Sequence, residues 1–229
     1  MKKKKSILLC GASGLVGGEC LRLLLADPAV DRVVTLGRKP LALETTVTGN
    51  AAKLEQHVID FDRLDSYADL LRVDQIICAL GTTIKQAGSE ERFRQVDFDY
   101  PLALARLGAE QGAKHFLLVS AMGANACSRI FYNRVKGELE EAIFALPYQS
   151  VTIARPSLLL GERDEFRLGE ELGKRFAFLF PSRYKPITAG AVAAALVEAA
   201  REDRPERRIM ESAQMNSRAG ATGTQQKAS

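Results

Sequence analysis

The stretch that decides the fold class is residues 6–39, SILLCGASGLVGGECLRLLLADPAVDRVVTLGRK. A short apolar run, Ile7 to Cys10, leads into a glycine-rich turn and then into a helical pattern of leucines. A second apolar run, Val33 to Leu36, follows the helix. Strand, tight turn, helix and strand in this order predict half of a nucleotide-binding fold. The glycines of the turn recur at every third position: Gly11, Gly14 and Gly17.

These glycines have a specific physical role. A pyrophosphate reaches the backbone N–H groups at a helix N-terminus only where no Cβ stands in its way. An ordinary flexible turn is the alternative interpretation, but the position after a strand and before a helix favours a dinucleotide site. The G-x-x-G-x-x-G spacing is similar to that of the short-chain dehydrogenase/reductase superfamily.

Composition favours one domain. At 229 residues and 46% hydrophobic, the chain can bury a sizeable core. Net charge is +4, and we interpret Lys2 to Lys5 as a solvated leader rather than a nucleic-acid or membrane contact. No apolar stretch reaches the roughly 18 residues of a membrane span, so we expect a cytoplasmic protein. Four cysteines without a CxxC pair, and the distant His57 and His115, predict no metal site.

The rest of the chain alternates apolar runs with helical patterns. Strands are predicted around residues 58–59, 75–80, 115–120 and 151–154. Helices are predicted over 62–71, 131–144, 188–200 and 90–111, the last with either a kink or a division into two helices at Pro101. The fold class is therefore α/β, a doubly wound parallel sheet with ligand-facing loops at the carboxyl ends of its strands. We assign residues 1–211 to a single dinucleotide-binding domain, about 157–187 to a segment covering the substrate, and 212–229 to a flexible polar tail.

Arg38 bears on the choice of cofactor. It follows Gly37 at the end of the second strand, where NAD-preferring proteins usually carry an acidic residue for the ribose hydroxyls. A guanidinium can instead hold a 2′-phosphate through fork-like hydrogen bonds, with Lys39 adding charge. A solvent-facing turn arginine is the alternative. We expect NADP(H) in preference to NAD(H).

Tyr132 and Lys136 form the candidate catalytic pair. Four residues apart on a predicted helix, they share one face, and the ammonium would favour ionisation of the phenol so that it can act as acid or base. Such pairs arise often by chance, but this one opens the helix after strand five, where the superfamily carries its catalytic pair. Ser120 ends that strand and could hold a substrate carbonyl; a plain turn serine is the alternative, and Ser128 is a weaker candidate.

Further motifs extend the resemblance to about residues 6–211. They are GASGLVGG, LGRKPL, VIDFDRLDSY, ICALGTT, FRQVDFDYP, LLVSAMGANACSRIFYNRVKGELE and ARPSLLLGER. Together they resemble the atypical short-chain dehydrogenase/reductases of the Tat-interacting protein 30 (HTATIP2-like) group and its bacterial NAD(P)H-binding relatives. The resemblance implies a Rossmann fold with Tyr132 and Lys136 near the nicotinamide ribose, and with Asp60 and Phe61 beside the adenine. It places these residues along the cofactor: Gly11, Ser13, Gly14, Leu15, Val16, Arg38, Asp60, Leu80, Gly81 and Thr82.

Two functions are compatible with these features. The first is an NADP(H)-dependent oxidoreductase that transfers a hydride between the nicotinamide and a small carbonyl or alcohol. The second is an NADPH-binding regulator or sensor that acts through protein partners with little or no turnover. The set Ser120, Tyr132 and Lys136 favours the enzyme, whereas the short covering segment keeps the regulator open. A homodimer also stays open, since many superfamily relatives pair through helices flanking the sheet.

Overall fold

The computed structural model of the chain describes residues 4–41, 50–160 and 186–217. Its strands are β1 (Lys5–Cys10), β2 (Val30–Gly37), β3 (Leu54–Val58), β4 (Gln75–Cys78), β5 (His115–Val119), β6 (Ser150–Arg155), β7 (Leu159–Leu160), β8 (Ile187–Thr188) and β9 (Arg207–Glu211). Its α-helices are α1 (Leu15–Ala26), α2 (Ile84–Ala87), α3 (Glu90–Arg94), α4 (Tyr100–Glu110), α5 (Phe131–Phe144) and α6 (Ala189–Glu202), and residues 212–217 after β9 are also helical. Tighter 3₁₀ turns cover Ala51–Lys53 and Phe61–Leu71.

One parallel sheet organises the described part of the chain. Its seven strands run in the order β3-β2-β1-β4-β5-β6-β9, and β7 pairs with β8 in a separate small sheet. Apolar clusters cover both faces of the main sheet, with α1 and α6 on one side and the 3₁₀ stretch, α4 and α5 on the other. The central strands are buried on both faces, which explains their continuous apolar sequences. The predicted α/β doubly wound fold is confirmed.

The direction in which successive strands are added to the sheet reverses between β1 and β4. From β1 the strand order steps outward to β2 and β3, then returns to β4 on the other side. The loops after β1 and β4 therefore diverge at the carboxyl edge of the sheet and leave a crevice between them. Open α/β sheets bind their ligands at such a switch point.

Two helical predictions differ in detail from the structure. The predicted helix 90–111 is divided into α3, a π-helical turn at Gln95–Asp99, and α4, which has Pro101 in its first turn. α4 continues directly from this π-helical turn, with the Tyr100 N–H bonded to the Gln95 carbonyl oxygen, so Pro101 lies where the hydrogen-bond pattern of the helix changes. Residues 61–71 form 3₁₀ turns rather than an α-helix, with non-helical backbone angles at Arg63 and Tyr67.

The predicted flexible tail begins too early. Residues 212–217 are helical, Met215 is fully buried, and the Ser212 hydroxyl accepts a hydrogen bond from the Ser157 N–H. The buried methionine and this hydrogen bond hold the turn against the sheet, although the sequence of the turn is mostly polar. Residues 218–229, like residues 161–185 of the predicted covering segment, lie outside the described residues. No helix within the described ranges is long and apolar enough to cross a membrane.

Candidate active site

A cleft of about 740 Å³ opens at the carboxyl ends of β1, β2 and β4, where the strand order reverses. The glycine-rich turn after β1 forms its floor, and Arg38 and Lys39 after β2 form one wall. The turn after β4 and residues of α3 and α4 form the opposite wall. Nine predicted cofactor residues line the cleft: Gly11, Ser13, Gly14, Arg38, Lys39, Phe61, Leu80, Gly81 and Thr82.

Close packing explains the glycines of the turn. Gly11 has a φ of +85°, and a Cβ on it would lie 2.4 Å from the Ala79 carbonyl oxygen. A Cβ on Gly17 would lie 2.0 Å from the Gly11 carbonyl oxygen, so α1 can approach the turn only with glycine at this position. The first turn of α1 contains no acidic residue. Its N-cap, Gly14, lines the cleft, so this helix N-terminus is available there to a negatively charged group.

The charge of the cleft wall has one sign. Arg38, Lys39 and Arg92 line it, and none of the described residues lining it is Asp or Glu. Arg92 comes from α3, on the wall opposite Arg38, and the sequence offered no signal for it. A cleft with this lining favours a ligand that carries several negative charges, such as a phosphorylated dinucleotide.

Two buried polar atoms of the cleft lining have no hydrogen-bond partner among the described residues. They are Thr35 Oγ1 on β2 and His57 Nε2 on β3. Buried polar groups are usually paired, and unpaired ones call for an explanation such as a missing ligand. This lining, the glycine turn and the cations fit a dinucleotide cofactor.

Some predicted cofactor residues lie outside the cleft lining. Asp60 is exposed, and its side chain accepts a hydrogen bond at 3.0 Å from the Asp62 N–H at the start of the 3₁₀ stretch. Its neighbour Phe61 does line the cleft; it is buried and packs against Tyr100, with ring centroids 5.4 Å apart, at the predicted adenine end. The remaining predicted residues outside the lining are Leu15, Val16, Gly17, Tyr132 and Lys136.

Lys136 is held by a buried ion pair. Its Nζ lies 2.7 Å from Asp97 Oδ1, and the other carboxylate oxygen of Asp97 accepts a hydrogen bond at 2.8 Å from the Thr82 N–H. A Cβ on Gly81 would lie 3.9 Å from the Lys136 Nζ, so the ammonium sits directly beneath the turn that lines the cleft. The Asp97 carboxylate thus joins the candidate catalytic helix to the cleft wall.

The protonation of Lys136 follows from the same pair. Burial disfavours its charge, but the attraction of Asp97, with a smaller contribution from Tyr132, raises the pKa of Lys136 above its ordinary value. Lys136 therefore stays an ammonium at neutral pH. Tyr132 packs against Phe93 with its ring tilted and the ring centroids 5.4 Å apart, and its hydroxyl has no hydrogen-bond partner among the described residues.

Ser120 lies directly after β5, where it was predicted, but its hydroxyl is engaged inside the protein. It is 5% exposed, and its hydroxyl donates a hydrogen bond to Glu140, a carboxylate on α5 that is itself 2% exposed. A serine has only one O–H to donate, so this contact leaves none for a substrate carbonyl. The structure therefore assigns Ser120 to Glu140 instead. Ser128 is half-buried and accepts a hydrogen bond from the Ile130 N–H at 3.1 Å.

Asp97 and Glu140 are the functional candidates that the sequence interpretation missed. A signal for Asp97 was present, because it shares the apolar helical face of Phe93 and Tyr100. Glu140 lies four residues after Lys136 on the same stripe of α5. A charged residue on the inner face of an apolar helix indicates a buried partner.

Two other kinds of reactive site can be checked among the described residues: metal sites and the cysteine thiols of the core. No group of three or more His, Cys, Asp or Glu among them could hold a metal ion. Cys10 and Cys78 are side by side on β1 and β4, fully buried. Burial raises the pKa of Cys78 to about 12, which keeps its thiol unreactive.

Comparison with known proteins gives the family. The family model described as HIM1 matches residues 40–181. The chain belongs to the HIM1 family. The matched range of this HIM1-family chain contains Asp97, Tyr132, Lys136 and Glu140.

Relatives of this HIM1-family chain are similar over most of its length. Protein HTATIP2 from Rattus norvegicus is 36% identical over 183 residues, covering 80% of this chain and 74% of the relative. Protein fmp52, mitochondrial, from Emericella nidulans is 35% identical over 176 residues, covering 75% of this chain and 74% of the relative. The resemblance to HTATIP2-like atypical short-chain dehydrogenase/reductases is confirmed.

Solved structures support the fold. MoeE5 in complex with UDP-glucose and NAD superposes with a TM-score of 0.68 at 15% identity, covering 90% of this chain and 76% of that protein. WbmG of Bordetella bronchiseptica in complex with NAD gives a TM-score of 0.67 at 15% identity, covering 92% and 73%. At this identity the likeness establishes the Rossmann-type architecture.

The fungal relatives contradict one prediction. The proteins from Emericella nidulans, Candida albicans and Lodderomyces elongisporus are each named mitochondrial. The expectation of a cytoplasmic location is therefore wrong as a property of this family. It was derived from composition and from the lack of an apolar span, and neither of these specifies a compartment.

Proposed function

We propose that this protein is an NADP(H)-dependent oxidoreductase acting on a small carbonyl or alcohol. The observation that carries the proposal is the continuity of the site. A cationic cleft at the strand switch point shares its Gly81–Thr82 wall with the Asp97–Lys136 pair, and Tyr132 stands one helical turn before Lys136. A dinucleotide site and a proton donor thus meet at one edge of the sheet.

The chain's own residues suit a dinucleotide with a 2′-phosphate. The N-terminus of α1, approached over Gly11 and Gly14, would take the pyrophosphate. Arg38 and Lys39 are exposed on the cleft wall at the end of β2, the position that distinguishes NADP from NAD in this fold. Arg38 offers fork-like hydrogen-bond donors to a phosphate. None of the described residues that line the cleft is acidic, so no carboxylate stands there to accept hydrogen bonds from the ribose hydroxyls.

The catalytic residues of the proposal are Tyr132 and Lys136. A reduced nicotinamide cofactor held in the cleft would supply the hydride for the carbonyl carbon. The Tyr132 hydroxyl gives its proton to the carbonyl oxygen, which leaves an alcohol and a phenolate. The Lys136 ammonium stabilises that phenolate, and Asp97 keeps the ammonium charged and in place. In the oxidative direction the same phenolate takes the proton back.

A second function has one observation in its favour. The Ser120 hydroxyl donates to Glu140, so orienting a substrate carbonyl with this serine would require that hydrogen bond to break. A protein that binds NADPH and signals its occupancy to a partner needs the cleft but not that serine. The regulator is therefore the alternative proposal.

A measurement of turnover distinguishes the enzyme proposal from the regulator proposal. The purified chain is incubated with NADPH and a panel of aldehydes and ketones while absorbance at the reduced nicotinamide band is followed. The enzyme proposal expects oxidation of NADPH with at least one carbonyl, and a loss of about 100-fold or more in Tyr132→Phe with NADPH binding retained. Tyr67→Phe, a half-buried tyrosine of the 3₁₀ stretch, is the matched control and should keep full activity.

Three results would change the assignment. Equal turnover in wild type and Tyr132→Phe would remove Tyr132 from the mechanism. Tight NADPH binding without oxidation across the panel would favour the regulator. A chain that binds neither NADPH nor NADH would contradict both functions.

A further inference from the structure

One stripe of helix α5 carries three chemically active side chains. Tyr132, Lys136 and Glu140 follow at intervals of four residues and so lie on one face of the helix. Lys136 is 4% exposed and Glu140 is 2% exposed. Charged side chains are almost never this buried unless they are paired. The stripe therefore meets partners inside the protein on two successive turns, and Asp97 is the partner of Lys136.

The partners of Glu140 come from two different strands. Ser120, directly after β5, donates its hydroxyl to Glu140 Oε1. Arg155, at the end of β6, donates from Nε to both carboxylate oxygens at 3.1 Å and from Nη2 to Oε2 at 2.5 Å. One carboxylate thus ties α5 to the carboxyl ends of two neighbouring strands. The same arginine reaches Glu211 of β9 at 3.4 Å.

The helix is also fixed from the side of the loop after β5. A Cβ on Gly137 would lie 2.2 Å from the Ala126 nitrogen, so this loop lies directly on α5. The Asn125 N–H donates to the Asn133 carbonyl oxygen at 3.0 Å. Steric contact at Gly137 prevents the helix from moving toward the loop, and the Asn125–Asn133 hydrogen bond ties the first turn of α5 to the same loop. The hydrogen bonds at Glu140 add a second directional constraint, two turns beyond Tyr132, that ties the helix to the strand ends.

An apolar residue in place of Glu140 could pack equally well, because replacing a buried ion pair by hydrophobic residues is often neutral for stability. Hydrogen bonds from fixed strand ends have preferred distances and directions, so they define the axial position of a helix more sharply than van der Waals contacts alone. A shift of about 1 Å in a reacting group can cost two orders of magnitude in rate. A charged network two turns from Tyr132 is consistent with a requirement for position rather than for stability.

We propose that Glu140 is a positioning residue for the nicotinamide end of the cleft: through Ser120 and Arg155 it fixes the axial position of α5 and thereby of Tyr132 and Lys136. The inference rests on the proposed function, because it assumes that a nicotinamide cofactor occupies the cleft. It also gives Ser120 a role that its burial permits, as donor to the carboxylate that holds the helix.

The experiment compares the two halves of the cofactor. Affinities for NADPH and for adenosine 2′,5′-bisphosphate, which has the adenosine half alone, are measured by calorimetry for wild type and Glu140→Gln. Emission of bound NADPH reports the surroundings of the nicotinamide. We expect Glu140→Gln to weaken NADPH binding about fivefold and shift its emission, while the affinity for the bisphosphate stays within about twofold.

Matched variants separate position from general damage. Glu141→Gln changes the next residue, an exposed glutamate of the same helix, and should behave as wild type. Glu140→Asp keeps the charge and should recover part of the lost affinity for NADPH. Ser120→Ala removes a single hydrogen bond from Glu140 and leaves Arg155 in place, so it should show the same selective effect at smaller size. This variant also decides the matter if Glu140→Gln does not fold.

Each contrary outcome has its own meaning. Unchanged NADPH affinity and emission in folded Glu140→Gln, or in Ser120→Ala if the former fails to fold, would overturn the positioning role. Equal weakening of both ligands would also overturn it, since that result indicates general loss of structure. Failure of the wild-type chain to bind either ligand would instead contradict the proposed function.

Discussion

Acidification should destabilise this protein through His115, one of its two histidines. The side chain lies on β5, is 2% exposed, and its Nε2 is 2.9 Å from the Thr152 hydroxyl oxygen. Burial lowers the pKa of His115 from 6.5 to about 4; attraction to Asp203 opposes this shift, and repulsion by Arg208 adds to it. The folded protein therefore keeps His115 neutral until well below the pH at which an unfolded chain would charge it.

Proton linkage gives the direction and the size of this pH effect on the free energy of unfolding. Between pH 6.5 and about 4, the unfolded chain binds a proton at His115 that the folded chain does not. The free energy of unfolding therefore falls as the pH falls through this window. At about 1.4 kcal/mol per pKa unit, the shift corresponds to a loss of about 3 kcal/mol once the pH is below the folded value. At neutral pH the effect is absent.

The assay is denaturant unfolding at pH 7, 5.5 and 4 for wild type, His115→Gln and Thr152→Val. Carboxylates titrate in the same range, so the informative quantity is the difference between wild type and His115→Gln. We expect this difference to change by about 3 kcal/mol in favour of the glutamine variant between pH 7 and 4. Thr152→Val removes the hydrogen bond to His115 but keeps the buried imidazole. Its free energy of unfolding should therefore depend on pH as that of wild type does. Parallel curves for wild type and His115→Gln would refute the reasoning.

Two further outcomes test the site. Gly17→Ala should lose NADPH binding and melt at a lower temperature than wild type, because the new Cβ would lie 2.0 Å from the Gly11 carbonyl oxygen. In the control Gly18→Ala the Cβ would lie 3.5 Å from the Ala12 carbonyl oxygen, so this variant should bind NADPH normally and melt at a slightly higher temperature. Equal melting temperatures would contradict this packing. Lys136→Met leaves the Asp97 charge buried alone and should cost about 3–5 kcal/mol in denaturant unfolding, much of it recovered by adding Asp97→Asn. Additive losses in the double variant would contradict the pairing.

Much of the architecture was readable from local sequence. Helix Phe131–Phe144 was predicted with the bounds that the structure shows, because its apolar positions recur with helical period. The central strands of the sheet are largely apolar runs, as burial on both faces requires, and the alternation of strands with helices along the chain predicted parallel pairing. The third strand lies earlier than predicted, at Leu54–Val58, because an edge strand carries a weaker apolar signal.

The candidate site was harder to predict because its key contacts are tertiary. The glycine turn, Arg38 and the helix with Tyr132 were found from spacing, which local geometry determines. Whether Ser120 faces a substrate or a carboxylate depends on Glu140, twenty residues away on another element. The Asp97–Lys136 pair likewise joins a π-helical turn to α5, and no local pattern specifies that distance.

The measurement that tests the central claim most directly is the affinity of wild type and Arg38→Ala for NADPH and NADH by calorimetry. We expect wild type to bind NADPH more tightly than NADH, and Arg38→Ala to lose about tenfold or more for NADPH with NADH within about twofold. Arg32→Ala is the control, since this arginine of β2 pairs with Glu55 at 2.8 Å and is not part of the cleft lining. Wild-type protein that binds neither dinucleotide would contradict the account.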